Sequence, residues 1–354
     1  MKTVFILGAG ASRQAGAPLM SDFLDRADEL IRLNVGGVVA AENAFNDVFA
    51  AISELQAVHS KSYLDLDNIE ILFGAIEMAQ IIGKLGQREA EAITQLRKSI
   101  ITLIVKTLEF SIPFPRTESG HISAPVPYDD FGTLISGLKQ KQRQWQFSFL
   151  TFNYDLTLEC AFLNESLPYD YWLSQGADPN KLPYLKLHGS INWGVCEVCK
   201  RIIPWHPNQV RYGSRSDKVY MDLGSNISQH THCEKPLIAP PVLVPPTWNK
   251  TGYHQDLATV WKKAAVELAS AENIFVIGYS LPETDSFFRY LFALGSESTT
   301  RIKRFWVFNP DSTIESRFQQ MIGRGIQNRF RFITGDDGTF ENAINAMRNE
   351  LENL

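Results

Sequence analysis

Six short runs of apolar, β-branched or aromatic residues constrain this chain most, at residues 4–7, 147–151, 184–187, 274–277, 305–308 and 330–333. Runs this short and this apolar read as strands buried on both faces. Several are followed by helix-start chemistry. Ser21-Asp22 precede Phe23, Leu24, Ala27, Leu30 and Ile31, and Thr284-Asp285 precede Phe287, Phe288, Leu291 and Phe292. Strand then helix, repeated, predicts an α/β chain with a doubly wound parallel, Rossmann-like sheet. No apolar run approaches the ~18 residues of a membrane span, and the amino-terminal run is shorter than the ~7 residues of a secretory core. The expectation is a cytoplasmic protein without membrane contact.

The runs are unevenly spaced. Between the first and second the chain reads mostly helical, with Ile69, Leu72, Phe73 and Ile76 on one face and Ile93, Leu96, Ile100, Leu103 and Leu108 on another. Pro113, Pro115, Pro125 and Pro127 then bar a helix and return the chain to the sheet. A second break, residues 191–248, is rich in Pro, Cys and His. The expected organisation is a Rossmann-like domain from residues 1–33, 126–190 and 249–354, a large helical insertion over 34–125 and a small zinc-ribbon-like module over 191–248. Those boundaries suit 354 residues, enough for two domains or one with a large insertion. The apolar faces of the insertion exceed what one layer on a sheet uses, so a homo-oligomer is expected. With 34 basic against 39 acidic residues, net −5, the chain lacks the basic footprint that nucleic acid requires.

Small and polar residues stand where the runs end. Gly8-Ala9-Gly10-Ala11-Ser12 follows the first, and its glycines permit a tight turn with backbone N–H groups close to a phosphate. Arg13 occupies the place of the third glycine of the dinucleotide fingerprint, which argues against a hydride-transfer dehydrogenase; a tight turn without ligand would use the same residues. Asn153 and Asp155 follow the second run, where side chains project into the ligand crevice of a parallel sheet, although Asp155 equally suits a helix N-cap. His188-Gly189 follows the third, offering an imidazole that titrates near neutrality as a general base. Gly278 and Ser280 follow the fourth run and Asn309 the fifth.

Cys196-x-x-Cys199 is followed after thirty residues by His230-Thr231-His232-Cys233. Three thiolates and one imidazole close a tetrahedral, structural Zn²⁺ site, with Cys196, Cys199, His230 and Cys233 as the set and His232 as a competing ligand. Buried cysteines in a loop module are the alternative.

In this order the motifs resemble the sirtuin superfamily. Gly8-Ala9-Gly10-Ala11-Ser12 resembles its cofactor loop, Asn153 and Asp155 its Asn-x-Asp, and His188-Gly189 its catalytic His-Gly. Gly278 and Ser280 resemble its Gly-Thr-Ser turn, Asn309 its adenosine-ribose asparagine, and the Cys/His knuckles its zinc module. The resemblance leaves out the helical insertion. It implies NAD⁺ as substrate and a structural Zn²⁺. His188 would be the general base and Asn153 would orient water or a ribose hydroxyl. Asp155 would hold the nicotinamide carboxamide, Gly8, Ala9, Gly10, Ser12, Gly278 and Ser280 the diphosphate and ribose, and Asn309 the adenosine ribose.

The chain departs from the protein-deacetylating members in three places. Ala17-Pro18 runs into Leu19-Met20-Ser21 instead of Asp-Phe-Arg, Phe152 stands for Gln, and a proline-rich segment after Ala239 replaces Phe-Gly-Glu. With its helical insertion it looks like the sirtuin-like NAD⁺ hydrolases of bacterial antiphage systems. That resemblance implies hydrolysis of NAD⁺ to nicotinamide and ADP-ribose, triggered by a partner or sensor protein of the same system. A protein deacylase and a non-catalytic ADP-ribose sensor are the alternative readings.

Overall fold

The computed structural model describes every residue except 59–62, 117–119, 143, 174–176, 206–210, 216–217, 223, 246–254, 296–297 and 354. All six apolar runs enter one sheet, as β1 (Lys2–Leu7), β2 (Gln146–Thr151), β4 (Leu182–Lys186), β5 (Asn273–Ile277), β6 (Arg304–Phe308) and β7 (Phe330–Ile333). A seventh strand of two residues, β3 (Tyr169–Asp170), adds to the edge beside β4. Every pairing is parallel and the order is β7-β6-β5-β1-β2-β4-β3. The chain therefore moves outward from β1 through β2 and β4, then returns to the other side of β1 at β5. That reversal beside β1 is where open α/β sheets hold their ligands.

The helices are α1 (Ala9–Arg13), α2 (Phe23–Arg32), α3 (Gly36–Val39), α4 (Glu42–Val58), α5 (Ile69–Ile82), α6 (Ala90–Ser111), α7 (Tyr128–Lys141), α8 (Thr157–Asn164), α9 (Gln255–Ala269), α10 (Ser286–Gly295), α11 (Glu315–Met321) and α12 (Phe340–Glu352). Among them α7, α8, α9 and α10 cover the two faces of the sheet. Phe5 lies opposite Phe149 and Phe275 in the ladder, and its ring stacks on theirs at 5.2 and 5.8 Å. Phe131 of α7 closes edge-on over Phe5 at 5.2 Å, and Phe162 of α8 over Phe149 at 4.9 Å. Strand residues alternate between faces, so the neighbours of these rings point the other way. There Ser148 meets Glu267 of α9, and Phe305 meets Phe292 of α10 at 5.4 Å. β7 departs from the expected two-sided burial: its residues are half-buried or exposed because it is an edge strand, paired only with β6.

The chain divides into two compact units. Met1–Ala15, Pro115–Gly189 and Trp248–Leu354 form the sheet unit, and Gly16–Phe114 with Ser190–Thr247 form the other. Residues 16–33 thus belong with the helices rather than with the sheet, since Arg26 of α2 donates to Ser111 Oγ at the end of α6 (3.0 Å). The helical and Cys/His segments likewise share one unit, joined by Phe114 N donating to Val219 O (2.8 Å) and by Phe110 stacking on Tyr220. Helix α5 has an Asn68 cap whose side chain accepts from Glu70 N and a left-handed Gly83 after its last turn. The apolar stripes read from sequence, Ile69, Leu72, Phe73 and Ile76 and then Ile93, Leu96, Ile100, Leu103 and Leu108, are all buried.

Candidate functional site

Because the strands run parallel, the segments after β1, β2, β4, β5 and β6 leave one rim of the sheet, and every residue expected in the NAD⁺ site lies on them, Ala9, Gly10 and Ser12 within α1 and the others in loops. The loops after β1 and β5 touch backbone to backbone. Gly8 N donates to Ile277 O (3.0 Å) and Gly10 N to Gly278 O (2.8 Å). A Cβ on Gly278, whose φ is +61°, would stand 2.1 Å from Ala11 N, and one on Gly8 would stand 2.5 Å from the Tyr279 Cα. The glycines are thus demanded first by the contact between the two turns. Ala9, beside them, is half-buried.

Ser12 is the hub of the next layer. Its buried hydroxyl lies 2.8 Å from Asp155 Oδ2, 2.8 Å from the Tyr128 hydroxyl and 3.0 Å from Asn153 Nδ2. An amide nitrogen only donates and a carboxylate only accepts. Ser12 therefore donates to Asp155 and accepts from both Asn153 and Tyr128, which uses all its capacity. Burial and the Asp155 charge push the Tyr128 phenol well above its usual range, so it stays a donor. Asn153 gives its other amide proton to Gly8 O (2.9 Å), which leaves its carbonyl oxygen Oδ1 outside this set of bonds and fixed in direction. Asp155 is held by three donors, Ser12 on Oδ2 and the backbone N (3.0 Å) and hydroxyl of Thr157 on Oδ1. Its observed work is to join the loop to the first turn of α8 and to anchor Ser12.

His188 is buried after β4, with Nε2 3.6 Å from Asp285 Oδ1, while Tyr279 donates to Asp285 Oδ2 (2.7 Å). Asp285 reads from sequence as part of a helix start, and α10 does begin at the next residue, Ser286; the structure also turns its buried carboxylate toward the imidazole. Phe152 stacks on Tyr279 at 4.1 Å and meets the His188 ring edge-on at 5.0 Å, so an aromatic wall stands beside the imidazole. Ser280 is half-buried with its carbonyl accepting from Arg317 (3.2 Å). Asn309 Oδ1 accepts from Asp311 N (3.0 Å) in a tight turn after β6.

Five residues around this rim carry no site role in the sequence reading: Tyr128, Asp285, Tyr279, Lys186 and Glu159. Lys186 carried a readable signal, a charge inside an otherwise apolar strand that must find a partner. It finds Glu159 at 2.8 Å, both side chains fully buried.

In the other unit, Cys196, Cys199, His232 and Cys233 bring four ligand atoms within 4.8 Å of one another. Tetrahedral zinc with thiolates at about 2.3 Å needs this spacing. In this cluster His232, the competing ligand, stands in place of the expected His230, its Nδ1 lying 3.6 Å from Cys199 Sγ and 3.3 Å from Cys233 Sγ. Cys233 and Glu234 both have positive φ, forming the two-residue turn of a hairpin that presents His232 and Cys233 side by side. His230 precedes the hairpin and stays out of the cluster, and burial pulls its imidazole down to about 4. The Cys196-x-x-Cys199 knuckle is closed by Cys196 N donating to Arg201 O (2.9 Å). The donor set fits zinc, and its four protein ligands leave no position for substrate.

A cleft of about 450 Å³ in this unit, lined by Ala41, Asp47, Arg88, Gln95 and Ser99 among others, contains none of the rim residues. Among the described residues no helix is long and apolar enough to cross a membrane.

Solved structures similar to this chain include a Sir2 homologue in complex with NAD (12% identity, 99% of this chain and 90% of that one, TM-score 0.42). Others are a mutant Sir2 homologue in complex with ADP-ribose (11%, 99% and 92%, TM-score 0.43) and a Sir2 enzyme studied for mechanism and regulation (13%, 99% and 93%, TM-score 0.43). No protein-family model and no curated protein matches the sequence. Likeness at this distance carries no argument about chemistry, which rests on the residues themselves.

Proposed function

We propose that this chain is an NAD⁺ glycohydrolase that cleaves the bond between nicotinamide and ribose. The observation that carries the reading is the orientation of Asn153. Its two amide protons are tied to Gly8 O and Ser12 Oγ at the reversal point of the sheet, which leaves a carbonyl oxygen of fixed direction on the rim that also bears His188. Cleavage passes through an oxocarbenium-like state, in which positioning and charge supply most of the catalysis. A water oxygen bonds to ribose C1′ as the C1′–N bond breaks. Nicotinamide leaves with the electron pair, turning from pyridinium to neutral pyridine, and the water proton passes to His188. Asn153 Oδ1 accepts a hydrogen bond from that water or a ribose hydroxyl, and the Asp285 carboxylate beside His188 stabilises the imidazolium. The turns at Gly8, Ala9, Gly10, Gly278 and Ser280 hold diphosphate and ribose, and Asn309 the adenosine ribose. Ser12 and Asp155 contribute through Asn153, their own polar atoms being engaged within the protein.

The four-ligand Cys/His cluster would hold a structural Zn²⁺ that ties its two hairpins together. In this reading the enzyme is a cytoplasmic effector of antiphage defence, depleting NAD⁺ when a partner protein triggers it. Helix α5, which exposes Met78, Ile81 and Ile82, supports self-association of the helical unit.

The test incubates purified protein with NAD⁺ and no peptide and quantifies nicotinamide and ADP-ribose, alone and in extracts of phage-infected host. His188→Ala and Asn153→Ala should abolish turnover and keep the circular dichroism of the parent. Undiminished rates in both variants refute the reading. Turnover only with acylated peptide identifies a deacylase, and ADP-ribose binding without turnover identifies a sensor.

A further inference from the structure

Lys186 ends β4 two residues before His188, and its ammonium group is fully buried. It has three protons and three acceptors: Asp155 O at 2.5 Å, Tyr154 O at 3.5 Å and Glu159 Oε1 at 2.8 Å. Glu159, on α8, is fully buried as well and accepts from the Tyr171 hydroxyl on Oε1 (3.0 Å) and the Tyr184 hydroxyl on Oε2 (3.1 Å). Burial holds the Glu159 carboxyl above its usual range, and Lys186 offsets only part of that. A buried ion pair is a weak source of stability, because apolar residues of the same volume do as well or better. This pair therefore calls for another account, and the two backbone carbonyls supply one. They belong to the residues directly after Asn153. Tyr154 and Asp155 lie beyond the end of β2, and the ammonium group beneath them reaches both carbonyls.

We propose that Lys186 is a positioning residue that, through Tyr154 O and Asp155 O, sets the backbone of the 153–155 loop and hence the direction of the Asn153 side chain, with Glu159 as the counter-charge that lets an ammonium group stand there. The proposal rests on the glycohydrolase reading for its effect on catalysis, and not for its effect on the loop. It also explains why β4 accepts a charge in its apolar run. The hub at Ser12 fixes Asn153 from one side and the clamp at Lys186 fixes its backbone from below.

The test compares Lys186→Met with the double variant Lys186→Met/Glu159→Gln in the full chain. Lys186→Met leaves Glu159 as an uncompensated buried carboxylate and should destabilise strongly. The double variant removes the charge and keeps an acceptor for the tyrosines, so most of the thermal stability should return. Amide hydrogen exchange of Asn153–Thr157 should nonetheless stay at least tenfold faster than in the parent. NAD⁺ turnover by the double variant should show kcat down at least tenfold with KM within threefold. A double variant with restored stability and parental exchange across the loop overturns the clamp whatever its activity. A parent that consumes no NAD⁺ counts against the glycohydrolase reading alone, and the exchange measurement still decides the clamp. If Lys186→Met fails to fold, the double variant carries the same decision.

Discussion

Replacing Ser12 by Ala removes one oxygen that serves three buried partners, and its cost follows from the bonds that oxygen makes. Two of the bonds, from Asn153 and Tyr128, are between neutral groups and contribute about 1 kcal/mol each, while the bond to the Asp155 carboxylate contributes about 2 kcal/mol. Asn153 keeps Gly8 O, and Asp155 keeps both Thr157 donors, which lowers the loss to about 3 kcal/mol. The vacated space is that of a hydroxyl oxygen, too small for a water to enter and restore the bonds. For a unit of this size the midpoint of thermal unfolding should fall by about 6–12 °C. Calorimetry and urea titration measure it. The same variant frees one of the two tethers of the Asn153 amide, so NAD⁺ turnover should fall at least tenfold. A stability loss below about 1 kcal/mol together with parental turnover would show that the hydroxyl is not the hub, and the donor directions assigned to Asn153 and Tyr128 would fall with it.

Gly278→Ala should be among the most damaging single-atom additions, losing well over 3 kcal/mol or failing to give soluble protein, since the new Cβ meets Ala11 N at 2.1 Å in a left-handed residue; thermal melts of Gly278→Ala beside Gly36→Ala, where the added atom meets nothing, check it. Burial opposes ionisation of Glu267, but Lys2, Lys263 and Ser148 more than offset it and hold the carboxyl below its usual range. Its contribution is complete above the unfolded carboxylate value, about 4.3, and is lost as pH falls through the lower folded value; urea midpoints of Glu267→Gln should thus be reduced at pH 7 and less pH-dependent than the parent between about pH 5 and 3. Metal analysis should find one zinc per chain, lost in His232→Ala and kept in His230→Ala; the reverse pattern would restore His230 as the ligand. Asp285→Asn should leave the fold intact and lower NAD⁺ turnover at least tenfold at pH 7, measured by nicotinamide release, because the imidazolium at His188 loses the carboxylate 3.6 Å away.

The sequence by itself determined the strands, their parallel arrangement and the rim on which the polar residues stand. Strands covered on both faces must be apolar throughout, and the residue at which such a run turns to Gly, Asn or His is the residue that leaves the sheet; both are local properties. What depends on pairing between distant residues was decided only by the tertiary structure. Asp285 reads as nothing more than a helix start until the segment after β5 is folded back on His188, and Lys186 is an anomaly in a strand until α8 brings Glu159 to it. Spacing favours His230, which precedes Cys233 as one cysteine precedes the other in Cys196-x-x-Cys199, but the two-residue turn at Cys233-Glu234 places His232 beside the thiols. The glycines at 8, 10 and 278 announce a close approach, but that the approaching atoms are first of all each other's backbone follows from β1 and β5 being neighbours. Strand order is a property of the whole chain, since it is set by which apolar faces the helices cover, and no stretch of sequence holds it alone.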